Sequence, residues 1–200
     1  MSHRLVLGVG GAALLALAAP AQESSRAILA DRARDKFEAI AASGEAPRRP
    51  RAKPVTTALT EAEINAYLQV HAPDVLPRGI TEPEIRLREQ GHVRARAIVD
   101  LDAVRRSRAR SWRDPLFYVT GAVEVVALGA VAADEGAGRA QLESATVGGV
   151  SVPPSVIREV LRFYTQSTER PDGIDLDAPF ELPANIRSAT VDRTRVTIVQ

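Results

Sequence analysis

The chain contains no cysteine. That excludes disulfides, thiolate metal sites and a lipid anchor attached through an N-terminal Cys. Aromatic side chains make up only 4% of the residues, so the core has to be built from Val, Leu, Ile and Ala. Histidine is scarce: beyond His3, only His71 and His92 occur, one near a helix end and one beside a turn, which are surface positions rather than metal-ligand positions. There is no G-x-S-x-G, no Walker A, no H-E-x-x-H and no dinucleotide fingerprint. Asp172, Asp175 and Asp177 lie close together but lack the spacing of a calcium loop. A hydrolase built on two carboxylates stays open, because any two acids can meet in space, yet nothing singles out a pair. The expectation is a non-catalytic protein with no cofactor and no metal. Neither sign of charge dominates either, with 26 basic against 25 acidic residues. Without Arg4, which sits in a removable leader, the two signs balance, so nucleic acid is not an expected partner.

Two hundred residues, 45% of them hydrophobic, are enough for one domain with a core of its own. Residues 1–21 read as a signal peptide. His3 and Arg4 give a positive start, an uncharged apolar run follows over 5–18, and Ala19-Pro20-Ala21 is an A-x-A cleavage site. The apolar run is shorter than the roughly 20 residues that a membrane span needs. The protein is therefore expected to be exported, periplasmic or secreted, with an uncleaved N-terminal anchor as the alternative.

Residues 22–54 form a second segment. Leu29, Ala33, Phe37 and Ile40 recur at helical spacing over 23–42, on a narrow, Ala-rich face. Such a helix is expected to dock weakly or to project as a stalk. Positions 43–54 carry three prolines and four basic residues and read as a linker.

The remainder, 55–200, reads as a single α+β domain. Thr60, followed three residues later by Glu63, is a capping box, and the helix it opens buries Ile64, Tyr67 and Leu68 before ending ahead of Pro73. From Gly79 the period changes to two. Ile85 and Leu87 face one way, Gln90-Gly91 signals a turn, and Val93, Ala95, Ala97, Val99 and Leu101 alternate with Arg94, Arg96, Ile98, Asp100 and Asp102. The arginines of this hairpin line its outer face, solvated or paired with cross-strand carboxylates. Positions 116–132 form a strand apolar on both faces, which calls for cover on both. Its one charge, Glu124, is expected to pair with an arginine of the preceding hairpin rather than to act as a base.

A returning strand over 139–150 meets the Gly148-Gly149 break, then Pro153-Pro154, then an amphipathic helix. Val156, Val160, Phe163 and Tyr164 share one side of that helix, beside Ile157 and Leu161. Two readings are open: an ordinary core helix, or one wall of a groove for an apolar ligand. A closing hairpin is expected over 186–199. The strongest charge anomaly lies at 103–115, where Arg105, Arg106, Arg108 and Arg110 approach Trp112. This loop either meets an anionic surface such as lipid head groups or is a solvated strand connection.

The Thr60–Leu68 pattern T-x-x-E-I-N-x-x-L, the G-x-x-x-x-P element from Gly148 to Pro153, and the C-terminal hairpin, taken with the export signal, resemble small secreted bacterial domains related to the tubular lipid-binding (TULIP-like) superfamily. The resemblance covers roughly 55–200. It implies a curved antiparallel sheet of about four to six strands, wrapped on one or two amphipathic helices and preceded by an N-terminal helix, with an apolar ligand held in between. The groove would be lined by Leu87, Val93, Val99, Val123, Val125, Val156, Val160, Phe163 and Tyr164. The expected function is thus an exported lipid-binding protein of the cell envelope. The alternative is an envelope interaction module that meets an anionic membrane surface through Arg105, Arg106, Arg108, Arg110 and Trp112. Nothing in the sequence sets the oligomeric state.

Overall fold

Thr60 closes one element and opens the next. In the computed structural model, which describes residues 18–45, 53–106, 120–166 and 171–200, it is the last residue of β1 (Thr56–Thr60) and the N-cap of α2 (Glu61–Val75). The Thr60 hydroxyl accepts from the Glu63 N–H at 3.2 Å, and a Glu63 carboxylate oxygen accepts from the Thr60 N–H at 2.8 Å. Two orphan donors of the helix start are thereby satisfied reciprocally. The helix does not stop before Pro73, as the sequence led us to expect, but continues to Val75. The missing Pro73 N–H leaves the carbonyl of Gln69 without its helical donor, but Gln69 is exposed and water can serve it. Leu76 then closes the end by donating to the Ala72 carbonyl at 2.9 Å.

The expectation of a weakly docked stalk for the preceding helix is overturned. α1 (Ala18–Glu45) buries Ala30, Ala33 and Ile40, and Ala33 and Ile40 join Leu59 at the centre of the core. Phe37, Ile64, Tyr67, Ile186 and Ile198 pack around them. The Ala-rich face that reads as weak is what allows close approach, since α2 packs on α1 and contributes the buried Ala66. Polar groups then lock the helix in place. Gln200 donates to the Ile40 carbonyl and Asn185 to the Gly44 carbonyl, each at 2.8 Å, so the helix end finds donors elsewhere in the chain.

The remaining strands are β2 (Ile80–Leu87), β3 (His92–Asp100), β4 (Ala122–Asp134), β5 (Ala137–Val147), β6 (Val150–Val152), β7 (Phe180–Glu181), β8 (Ser188–Val191) and β9 (Arg195–Val199). With β1 they make one open antiparallel sheet of nine strands, so the class is α+β. Four to six strands was too few, because pieces as short as β6 and β7 carry no periodic signal of their own. Two short helices complete the order, α3 (Leu101–Arg106) and α4 (Pro154–Thr165). β3 ends earlier than alternation suggested. The Asp100 carboxylate accepts from the N–H groups of Asp102 and Ala103 at 2.9 and 3.0 Å, which turns Leu101 into α3 and buries it.

β4 is the junction of the sheet. Over its first part it pairs with β3 on one side and β5 on the other; at Ala133 it pairs with Gly138 of β5 and Ala189 of β8. β3 and β8 therefore lie end to end along one edge of β4. The far edge of β2 is closed by side chains of α2. Asn65 bonds both the N–H and the carbonyl of Ile85, at 2.7 and 2.8 Å, and Glu61 accepts from the Leu87 N–H at 2.7 Å. This is a structural role for Asn65, capping an edge that would otherwise be open. No helix among the described residues is long and apolar enough to cross a membrane.

Candidate functional site

Register assigns the sheet residues to faces. Directly paired residues of antiparallel strands share a face. Leu87 pairs with Val93, Val99 with Val123, and Ala97 with Val125. The five strand residues expected to line a groove therefore do share one face, together with Ala95, Ala127 and Ala145. Leu87 and Ala145 are buried there, whereas the β3 and β4 members are only half-buried.

The helix residues expected opposite them behave differently. α4 packs along β5 and has no buried residue; Val156 is 48% exposed, and Val160, Phe163 and Tyr164 are half-buried. The Phe163 and Tyr164 rings meet edge to face, 5.3 Å apart. Four clefts among the described residues contain none of these four helix side chains, and of the nine expected groove residues only Leu87 lines one of them. Cover of β4 on both faces, expected from its composition, is only partial: residues 123–130 are half-buried and no β4 side chain is fully buried.

A cleft of about 1150 Å³ lies mainly on the opposite face of the same strands, although Leu87 and Ala145 also contribute to its lining. Its floor is two cross-strand rows: Arg86, Arg94, Leu128 and Ser144, and beside it Val126 and Thr146. Arg88 and Glu89 line it from the β2–β3 turn, His92 from the start of β3, Arg193 from the β8–β9 turn and Glu61 from the start of α2. Sequence reasoning missed this site. It treated the hairpin arginines as an outer face and the apolar residues of β4 as buried, and only the pairing of the two strands puts them on one floor.

Several of these charges are engaged. Arg86 donates to Glu84 at 2.6 Å and to Glu61 at 3.1 Å, which holds its guanidinium above the ordinary arginine value. Arg193 pairs with Glu89 at 2.8 Å, and His92 meets Glu143 at 3.1 Å. On the same face, Arg96 binds Glu124 at 2.6 Å, so Glu124 does pair with an arginine of the preceding hairpin.

The basic loop is only partly within the described residues. Arg105 is bound to Asp102, and Arg106 reaches Asp100 at 3.9 Å, while Arg108, Arg110 and Trp112 lie outside them, as do the first 17 residues and positions 46–52 of the linker. Asp175 and Asp177 face Arg162 and Arg158 at 3.5 and 3.4 Å. Among the described residues, no group of three or more His, Asp or Glu side chains is placed to hold a metal ion. No family model, curated protein or solved structure matches the chain.

Proposed function

We propose that this chain is an exported, non-catalytic protein of the cell envelope that binds an apolar ligand, a lipid in the first instance, against the apolar face of β2–β5, with the sheet curving around the ligand and α4. The kinship to tubular lipid-binding domains belongs to the same proposal. One observation carries it: the face that runs through Val93, Ala95, Ala97 and Val99 and on through Val123, Val125 and Ala127 is apolar without interruption, yet none of those seven residues is buried. A contiguous apolar surface left half-covered is what a binding site for an oily molecule requires. The small Ala and Val side chains keep that face shallow, leaving room for acyl chains. Each buried methylene contributes about 0.8 kcal/mol, so affinity would come from chain length, less the cost of ordering the chain.

The test is direct. Full-length protein is purified from an envelope fraction and extracted with organic solvent, and the extract is analysed by mass spectrometry for lipid in near-stoichiometric amount. The same protein, stripped, is titrated with a fluorescent fatty acid. Val125→Asp places a charge in the middle of the apolar face and is expected to weaken uptake by at least about tenfold. Protein that carries no lipid and takes up no probe would remove the proposal.

A further inference from the structure

The cleft on the polar face of the same strands carries a separate inference, independent of any apolar ligand. Its charge balance is uneven. Four arginines, Arg86, Arg88, Arg94 and Arg193, stand against two glutamates, Glu61 and Glu89. The pairs Arg86–Glu61 and Arg193–Glu89 consume both glutamates, and Arg86 also holds Glu84 at 2.6 Å. The side chains of Arg88 and Arg94 are left with no hydrogen bond or ion pair among the described residues. Arg94 is the more telling of the two, because it sits mid-strand, half-buried, flanked across the sheet by the cation Arg86 on one side and by apolar Leu128 on the other. Arg86 has its own carboxylates, Glu61 and Glu84, whereas Arg94 is a partly desolvated cation without one, which is unfavourable unless a counter-anion joins it.

We infer that this cleft binds a terminal phosphate group, with Arg94 and Arg88 as its principal ligands. The two guanidinium groups without a partner attract an anion, and the planar fork of each presents paired N–H donors to the tetrahedral oxygens of a phosphomonoester. Ser144, at the end of the Arg94 row, and Thr146, in the next, add hydroxyl donors. Val126 and Leu128 lie between the donors and offer an apolar seat for the organic part of the molecule. The volume, about 1150 Å³, accommodates far more than an inorganic ion, which fits a phosphate carried on a larger group.

The same chemistry is presented by a soluble phosphomonoester and by a phosphatidate head group. The full chain is titrated calorimetrically with inorganic phosphate and with glycerol phosphate, and is floated with vesicles of phosphatidate in phosphatidylcholine and of phosphatidylcholine alone. Binding of the soluble probes assigns a free phosphomonoester; binding only to phosphatidate vesicles assigns a membrane head group; either upholds the site. Arg94→Gln and Arg88→Gln are each expected to weaken that binding by about tenfold or more, and Arg32→Gln, on the exposed side of α1, to leave it unchanged. Circular dichroism and a melt establish that the variants fold; should Arg94→Gln fail to, Arg88→Gln, in an exposed turn, decides alone. Wild-type protein that binds none of the phosphate probes overturns the inference. So does binding that survives the Arg88 change undiminished, or acetate binding as tight as phosphate.

Discussion

Removing Lys36 isolates a carboxylate in the protein interior. The Lys36 ammonium spends its three protons on Glu63 Oε1 and Oε2, at 2.7 and 2.8 Å, and on the Ala58 carbonyl at 2.8 Å. It thereby ties α1 to both α2 and β1. The Glu63 side chain is 7% exposed and that of Lys36 33%. Lys36→Met leaves Glu63 charged, buried and held only by the N–H and hydroxyl of Thr60. Breaking a buried pair from one side costs about 3–5 kcal/mol; because water reaches Lys36 and Thr60 remains, about 2–3 kcal/mol is the appropriate figure here. For a chain of this size that lowers Tm by roughly 5–10 °C. Burial alone would raise the Glu63 pKa, but the bonds from Lys36 and Thr60 outweigh it and hold the carboxyl below its ordinary 4.5. A depressed carboxyl contributes its stability in full above the unfolded value and loses it as pH falls through the lower folded one. The gap between wild type and Lys36→Met should therefore be widest near neutral pH and shrink progressively below 4.5. Urea titrations followed by far-UV circular dichroism at several pH values measure both effects. Adding Glu63→Gln to Lys36→Met should recover part of the loss, since the orphaned charge goes with it while a capping-competent side chain stays. A Lys36→Met protein that melts within a degree of wild type at neutral pH, or a gap that does not change with pH, would refute this account of how α1 is held.

Two further changes probe the fold. Asn65→Ala strips the N–H and carbonyl of Ile85 of their partners on the outer edge of β2; about 2 kcal/mol is at stake, and native-state exchange of the Ile85 amide should quicken by roughly 30-fold. An exchange rate unchanged at Ile85 would show that the edge is not closed in this way. Gly44→Ala sets two effects against each other. Helix propensity favours Ala by up to about 1 kcal/mol, but an added Cβ would overlap the backbone of Ala184. Overpacking against backbone costs about 1–3 kcal/mol or more, so the clash should win and Tm should fall. A rise in Tm would mean that the end of α1 does not approach Ala184 so closely.

Local chemistry was legible in the sequence. Thr60 and Glu63 announced their capping box because both partners lie within one helical turn. The lone Glu124 in an apolar run announced an arginine partner because few other groups can neutralise it. Gln90-Gly91, with both residues at positive φ, marked the first hairpin, and Asp192 to Thr194 the last. Pro153-Pro154 marked the start of α4, which has Pro at its first turn. What escaped was decided by partners distant in the chain. The thin Ala stripe of α1 reads as weak adhesion until α2 supplies a face shallow enough to meet it. Pro73 reads as a stop until the exposure of Gln69 shows that the lost bond is replaceable.

The two sides of β4 make the same point about function. Read along the chain, Val123 and Val125 are no different from Val126 and Leu128, since both pairs are apolar and period-two patterning gives each side of the strand the same weight. Register separates them. Val123 and Val125 fall in line with Val99 and Ala97, and with Val147 beyond, so that side is oily from β3 to β5. Val126 and Leu128 fall in line with Arg96 and Arg94 on one flank and with Thr146 and Ser144 on the other. The same kind of side chain is part of an apolar surface in the first case and the non-polar floor of a cationic cleft in the second. A strand's own residues fix how hydrophobic each of its sides is, but the strands paired with it determine the chemistry each side presents. The oily ligand and the anionic one proposed above therefore belong to different faces of the sheet, and evidence for either is no evidence for the other.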